Sequence, residues 1–326
     1  MSAFRGAAAL LTTLTISAPA IAAEDCALRI ITEVDIIADG QSGAWAIPVF
    51  FGETEKYFQI NTASPFSSIN ESVVAELGIE TFNSSTPMID LTTGERFNPA
   101  LARPDQFRIG RLGAENFAFQ VDRGEGPDGT LGSSVLRNYD VELDFVNRKF
   151  FLVDQDHCPG QILHWETPAL SSVPMRVSDD NGHAFIDIKV NGVNMEAQIS
   201  LAGGQTSMNL DVAERRLDFD PDAEGVQELG ELQAGNRSEM MYATTFNAIE
   251  IGAFTLPSAE FVLMPDLLRG RFSNQPTVGT MIYDREEPTR LVDVTLGMSV
   301  LRHFHIYMAY GENMFYLSPA APIAAP

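Results

Sequence analysis

The sequence predicts a mostly β protein built as two similar lobes. Two observations carry that prediction. The chain repeats itself in three blocks, which fall in the same order in each half. Around the blocks run short stretches of β-branched and aromatic residues bounded by turn residues, the pattern of strands and hairpins rather than of long helices.

The first block pairs FQINTASPFSSINESVVAELGI, residues 58–79, with AQISLAGGQTSMNLDVAERRLD, residues 197–218, so that Gln59 falls on Gln198, Ile60 on Ile199 and Asn70 on Asn209. The second sets FRIG (107–110) on IEIG (249–252). The third is the longest: residues 128–152 align without gaps on 293–317, placing Leu131-Gly132 on Leu296-Gly297 and Val135-Leu136-Arg137 on Val300-Leu301-Arg302.

In chain order, Met1 to Ala23 reads as a secretory signal: Arg5, then the apolar AAALLTTLTISA, then Pro19 and the small-residue site Ala20-Ile21-Ala22. Cleavage after Ala22 or Ala23 leaves an exported protein, periplasmic or secreted. Residues 24–156 make the first lobe, in which WAIPVFF and YFQI are strands turning near Gly52. A short helix is expected over Glu71 to Leu77, N-capped by Asn70 and stopped by Gly78. Another turn of helix is expected at Ser134 to Asn138. Residues 157–182, with Cys158-Pro159-Gly160, Pro168, Pro174 and Asn181-Gly182, read as a linker.

The second lobe, 183–318, repeats the scheme. AFIDIKV and MEAQI flank the hairpin signal Asn191-Gly192, a helix is expected over Leu210 to Leu217 after Asn209, and another over Val300 to His303. An insertion near Pro265 to Arg290 forms a loop, and 319–326 is a low-complexity, disordered tail.

A formal net charge of -23 argues against nucleic acid and anionic lipid as partners, since both need clustered Lys and Arg. No stretch after the signal approaches the roughly 20 apolar residues of a membrane span. The two cysteines, Cys26 and Cys158, both lie in the exported part, where a disulfide is the expected state. His303 and His305 share a strand face, but no third ligand stands at useful spacing. They are expected at a strand edge in solvent, and neither metal nor cofactor is expected.

Both halves resemble the retropepsin-like, or pepsin-like, aspartic peptidases. The resemblance rests on the apolar-led loops at Asn61-Thr62-Ala63-Ser64 and Ser200-Leu201-Ala202-Gly203, and on the Leu131-Gly132 and Leu296-Gly297 segments that follow. It implies two β lobes around an interlobe cleft, with flap hairpins near Thr93-Gly94 and Ala234-Gly235. Such peptidases share a proton between two carboxylates, one from each lobe. Carried over, those two positions are Asn61 and Ser200, and neither side chain can replace a carboxylate.

The flanking positions depart from the family too. The Thr that braces the loop survives as Thr62 but is Leu201 in the second lobe, and the family Gly is Ala63 or Ala202. The resemblance therefore implies a degenerate catalytic pair and a cleft of Asn61, Thr62, Ala63, Ser64, Ser200, Leu201, Ala202, Gly203, Gly94 and Gly235 that binds a peptide or an exported protein. The alternative is an active endopeptidase with a non-standard acid pair. Asp90 lies in the flap region, and Asp128 and Asp293 are matched by the repeat, but all three read as turn or loop residues. Ser64 and Ser200 lack a positioned base, so serine chemistry is not expected.

Overall fold

The computed structural model describes residues 27–38, 45–89, 96–123, 126–161, 164, 165, 167, 169–202, 204–234, 237–267 and 292–320. The secretory signal, Cys26, Asp90, Gly94, Gly203, Gly235, most of the second-lobe insertion and most of the tail lie outside them. Among the described residues the strands pair into sheets of thirteen, ten and two strands, and the helices are short.

Each lobe begins its repeat with a hairpin, Trp45–Phe51 with Thr54–Ile60 and Ala184–Val190 with Val193–Ile199. The second turns through Asn191 at φ 49° and Gly192 at φ 78°, the paired left-handed conformations that a two-residue hairpin requires. The helices α1 (Glu71–Leu77) and α3 (Leu210–Arg216) follow in equivalent places. Asn70 and Asn209 cap them by accepting from Ser72 N and Asp211 N, and Gly78 ends α1 in the left-handed region.

The Leu-Gly blocks are strands Gly129–Leu131 and Val294–Leu296, each parallel to the second strand of its lobe's hairpin. Gly132 and Gly297 then adopt nearly the same extended backbone and lead into α2 (Ser133–Leu136) and α4 (Met298–Leu301). Both helices begin earlier than expected from the sequence. Their last residues, Asn138 and His303, instead close i to i−3 bonds onto Val135 O and Val300 O, so the end reads as a turn. Glycine is required at both positions for space. A Cβ would lie 2.2 Å from Phe66 O at Gly132 and 2.1 Å from Gln205 O at Gly297.

The repeat reaches one strand further upstream than the three blocks suggested. Within the segment expected to be a linker, Ser171–Val177 forms a strand whose burial alternates, with Ser171, Val173 and Met175 inward. Its counterpart is Ile30–Asp35. Thr32 Oγ1 accepts from Arg111 N at 3.0 Å, and Ser171 Oγ accepts from Ala253 N at 2.8 Å. The glycines of FRIG and IEIG turn beneath these hydroxyls at φ 54° and 57°. Prolines masked this strand in the sequence, yet Pro174 is paired opposite Met314 without breaking it.

Between the lobes the final hairpins join. Strand Asp140–Asp144 pairs antiparallel with Phe304–Ala309, bringing Glu142 opposite Tyr307. Lys149–Val153 and Met314–Pro319 flank that central pair, and Ile30–Asp35 and Ser171–Val177 lie outside them. The result is a symmetric six-strand segment shared by both lobes. One apolar cluster, containing Phe58, Ile69, Phe119, Ile199, Phe261 and Phe315, continues through both lobes. A smaller one, of Phe151, Val153, Tyr307, Ala309 and Tyr316, lies on the shared sheet against Trp165.

Candidate functional site

The loops after Ile60 and Ile199 meet where the lobes face each other. Asn61 N donates to Leu131 O at 2.9 Å and Ser200 N to Leu296 O at 3.0 Å, so the two positions hang from equivalent points of the two Leu-Gly strands. Thr62 is fully buried and joins the lobes: its hydroxyl donates to Ile199 O at 2.7 Å and accepts from Leu201 N at 3.3 Å. Gln59 Nε2 adds a bond to Ala202 O at 2.7 Å. The structure thus brings Asn61, Thr62, Ala63 and Ser64 together with Ser200, Leu201 and Ala202, while Gly203, Gly94 and Gly235 lie outside the described residues.

The brace is one-sided. Leu201 stands where a second Thr would return the bond, and it is buried in the apolar core instead. Inside the first loop, Asn61 Oδ1 accepts from Ala63 N at 2.9 Å, using the amide oxygen to hold its own turn. Ser133 supports the same loop, its N–H donating to Ser64 O and its hydroxyl to Thr62 O. Ser200 is 7% exposed. Asn and Ser supply dipoles and no titrating proton, so these positions can orient a polar group but cannot exchange a proton with a carbonyl and a water as a carboxylate pair does.

Asp128 and Asp293 are structural, as expected of turn residues. Asp128 Oδ2 accepts from Tyr57 N, and Asp293 Oδ2 pairs with Arg216 Nη1, both at 2.8 Å. Beside the Asn61 loop opens a cavity of about 370 Å³, lined by Phe66, Met88, Leu101 and Phe117 with Ser67 and Ser134. Met88 belongs to the antiparallel pair of Met88–Ile89 with Arg96–Phe97, which brackets the segment expected to form the first flap. Phe66, at the rim, is 48% exposed.

Residues 47–135 match the family described as aspartyl protease, a span that holds the Asn61 loop and Leu131-Gly132. The first lobe is aspartyl-protease-like. Similar solved structures are basic 7S globulin from soybean (10% identity, 92% of this chain and 100% of that one, TM-score 0.46) and conglutin gamma from lupine seeds (10% identity, 90% and 95%, TM-score 0.48). A retropepsin-like aspartic protease from Rickettsia conorii is similar at 17% identity, 49% of this chain and 98% of that one, with a TM-score of 0.33. No curated protein matches.

The aspartyl-protease-like lobe also contributes a second polar centre, on the shared sheet, which the sequence reading missed. Asp140 and Glu142 are fully buried. Asp140 Oδ2 accepts from Tyr307 OH at 3.2 Å and lies 2.7 Å from His157 Nε2, while Oδ1 accepts from Gly311 N at 3.0 Å. Glu142 Oε1 lies 2.8 Å from His305 Nε2, and the Trp165 indole stacks on that imidazole at 4.0 Å. His305 is therefore buried and paired, not at a solvent edge as expected, because Trp165 covers it from outside the strand. Among the described residues no group of three His, Cys, Asp or Glu is arranged to hold a metal.

Burial pushes the carboxyl groups of Asp140 and Glu142 up, a rise only partly offset by the Gly311 N–H and His157 at Asp140, and by His305 and His164 at Glu142. At His157 burial works against the charged form, but the Asp140 bond, the Cys158 carbonyl and attraction to Asp140 and Glu312 outweigh it, so its affinity for a proton is raised. The Asp140–His157 pair as a unit holds its shared proton more tightly than the separate groups would. A signal was present in the third repeat block, where Asp140 falls on His305 and Glu142 on Tyr307.

Among the described residues there is no free cysteine, and Cys158 is disulfide-bonded, while Cys26 lies outside them. No described helix is long and apolar enough to cross a membrane.

Proposed function

We propose that this is an exported, non-catalytic aspartic-peptidase-like protein that binds a peptide or an exposed segment of another exported protein in its interlobe cleft. The observation that carries the reading is the pairing of kept backbone with lost chemistry. The two loops hang from equivalent strands and are bonded across the lobes through Thr62, yet they present an amide and a hydroxyl at the positions where a peptidase needs two carboxylates. The cavity bordered by Phe66, Met88, Leu101 and Phe117 suits an apolar side chain of an extended peptide. Export rests on the N-terminal signal, and a Cys26–Cys158 disulfide agrees with it, since the chain has only two cysteines and Cys158 is bonded.

The test incubates the mature protein with a diverse peptide library from about pH 3 to about pH 8 and reads both new termini and retained peptides by mass spectrometry. Retention of apolar peptides without cleavage, weakened by Phe66→Ser, is the expected result. Cleavage that persists in a protein carrying both Asn61→Ala and Ser200→Ala would establish an acid pair elsewhere and overturn the reading.

A further inference from the structure

Glu142 presents an unusual environment for a carboxylate. Its Oε2 is buried and makes no hydrogen bond, although His164 Nδ1 lies 3.3 Å away. Its Oε1 is bonded to His305, on which Trp165 rests with an interplanar angle of 12°. Trp165 is tied to the same face by its Nε1 donating to Ser318 Oγ at 3.2 Å, and it packs on the smaller apolar cluster. His164 packs edge-on against Phe151. Both residues belong to the passage between the lobes, and both sit over a sheet to which each lobe contributes a strand.

The charges around Glu142 leave it dependent on protons. On its own strand stand Asp140 and Asp144, and Asp144 raises the cost of a charge on Glu142. From the facing strand come His305 and Tyr307, while Tyr316 of the next strand and Tyr310 of the turn between them act on Asp140, and Glu312 of that turn acts on His157 and Tyr316. From the passage come His157 and His164. The flanking Lys149 is engaged outward by Glu33 and Asp35. The side chains in contact with the Glu142 carboxyl are therefore imidazoles, with no lysine or arginine among them.

We propose that Glu142, between His305 and His164, forms a proton-sensitive seat for Trp165, which fastens the passage between the lobes to their shared sheet while Glu142 is protonated and frees it when that proton is lost. With an added proton Glu142 is neutral, and the indole packs on His305 over a site without a bare charge. Without it, a buried anionic oxygen that lacks a donor is left beside His164, the chain neighbour of Trp165. Hydration of that oxygen displaces what covers it, because an unpaired buried charge is far costlier than an exposed one. The upward displacement of the Glu142 carboxyl by burial agrees in sign. The seat thus closes toward acid and opens toward alkali, tuning how firmly the two lobes are fastened behind the cleft.

The chain has two tryptophans, so Trp45→Phe leaves Trp165 as the sole indole reporter. Acrylamide quenching of its fluorescence is followed from about pH 5 to about pH 9, with far-ultraviolet circular dichroism confirming that the fold persists. The expected result is a single titration in which quenching rises about threefold or more with pH. Glu142→Gln, which keeps the shape and removes the charge, is expected to hold the ring shielded throughout. A flat profile in the parent, or an unaltered step in Glu142→Gln, overturns the proposal. Should that variant fail to fold, His164→Gln, at a position 32% exposed, replaces it. Loss or displacement of the step then supports the seat, and an unchanged step overturns it.

Discussion

Thr62 carries more of the lobe interface than its size suggests. One hydroxyl satisfies the Ile199 carbonyl and the Leu201 N–H across the lobes, and Leu201 cannot return the favour from its side. Thr62→Val keeps shape and burial but orphans both backbone groups, a cost of about 1–3 kcal/mol. Chemical denaturation should show that loss, whereas the exposed Thr81, replaced likewise, should show little. The substitution of the first loop was readable in sequence because Asn61 sits in a motif of fixed outline. The cross-lobe bond was not, because its partners are 137 and 139 residues away along the chain.

At the scale of elements, the repeat explains which residues are fixed by space rather than by chemistry. Gly297 begins α4 with ordinary extended dihedrals, but a side chain there would run into the backbone of Gln205, which belongs to the second cleft loop. Gly297→Ala should therefore cost about 1–3 kcal/mol, toward the upper end because the obstruction is backbone, and thermal denaturation measures it. Gly204→Ala, with open space around its Cβ, is the control and should be nearly silent. The helix caps at Asn70 and Asn209 and the Asn191-Gly192 hairpin were legible in the sequence, since each is a bond between near neighbours. The strand Ser171–Val177 was not, since its identity comes from pairing with Met314–Pro319 and from the turn at Gly252.

For the whole molecule, buried titratable groups set opposite slopes of stability with pH. Asp140, Glu142 and His157 bind protons more tightly in the fold than at their ordinary values of 3.8, 4.5 and 6.5. Their contributions are complete below those values and are lost as pH rises through the raised ones. His183 and His303 are displaced downward by burial from 6.5, so they withdraw stability as pH falls below it. Between about pH 4 and 6.5 the two sets oppose each other. Above about pH 6.5 only the loss remains, and the formal charge of -23 acts in the same direction. The midpoint of thermal unfolding is thus expected to fall from about pH 6.5 to about pH 9, with a shallower slope in His157→Gln. An equal slope in that variant would remove His157 from the effect and leave it to Asp140, Glu142 and general repulsion.

The sequence by itself determined the two-lobed β plan, the helix caps, the hairpin turns and the absence of carboxylates at Asn61 and Ser200, all of which are local patterns or their repetition. The tertiary structure decided what is buried. DVELDF alternates acid with apolar residues, which in isolation describes a strand with one wet face. Here Asp140, Val141, Glu142, Leu143 and Asp144 are all buried, because Tyr307, His157, His164 and Trp165 arrive from the other lobe and from the passage between them. Burial depends on what packs from a distance, and it is burial that turned a row of surface acids into a proton-holding centre.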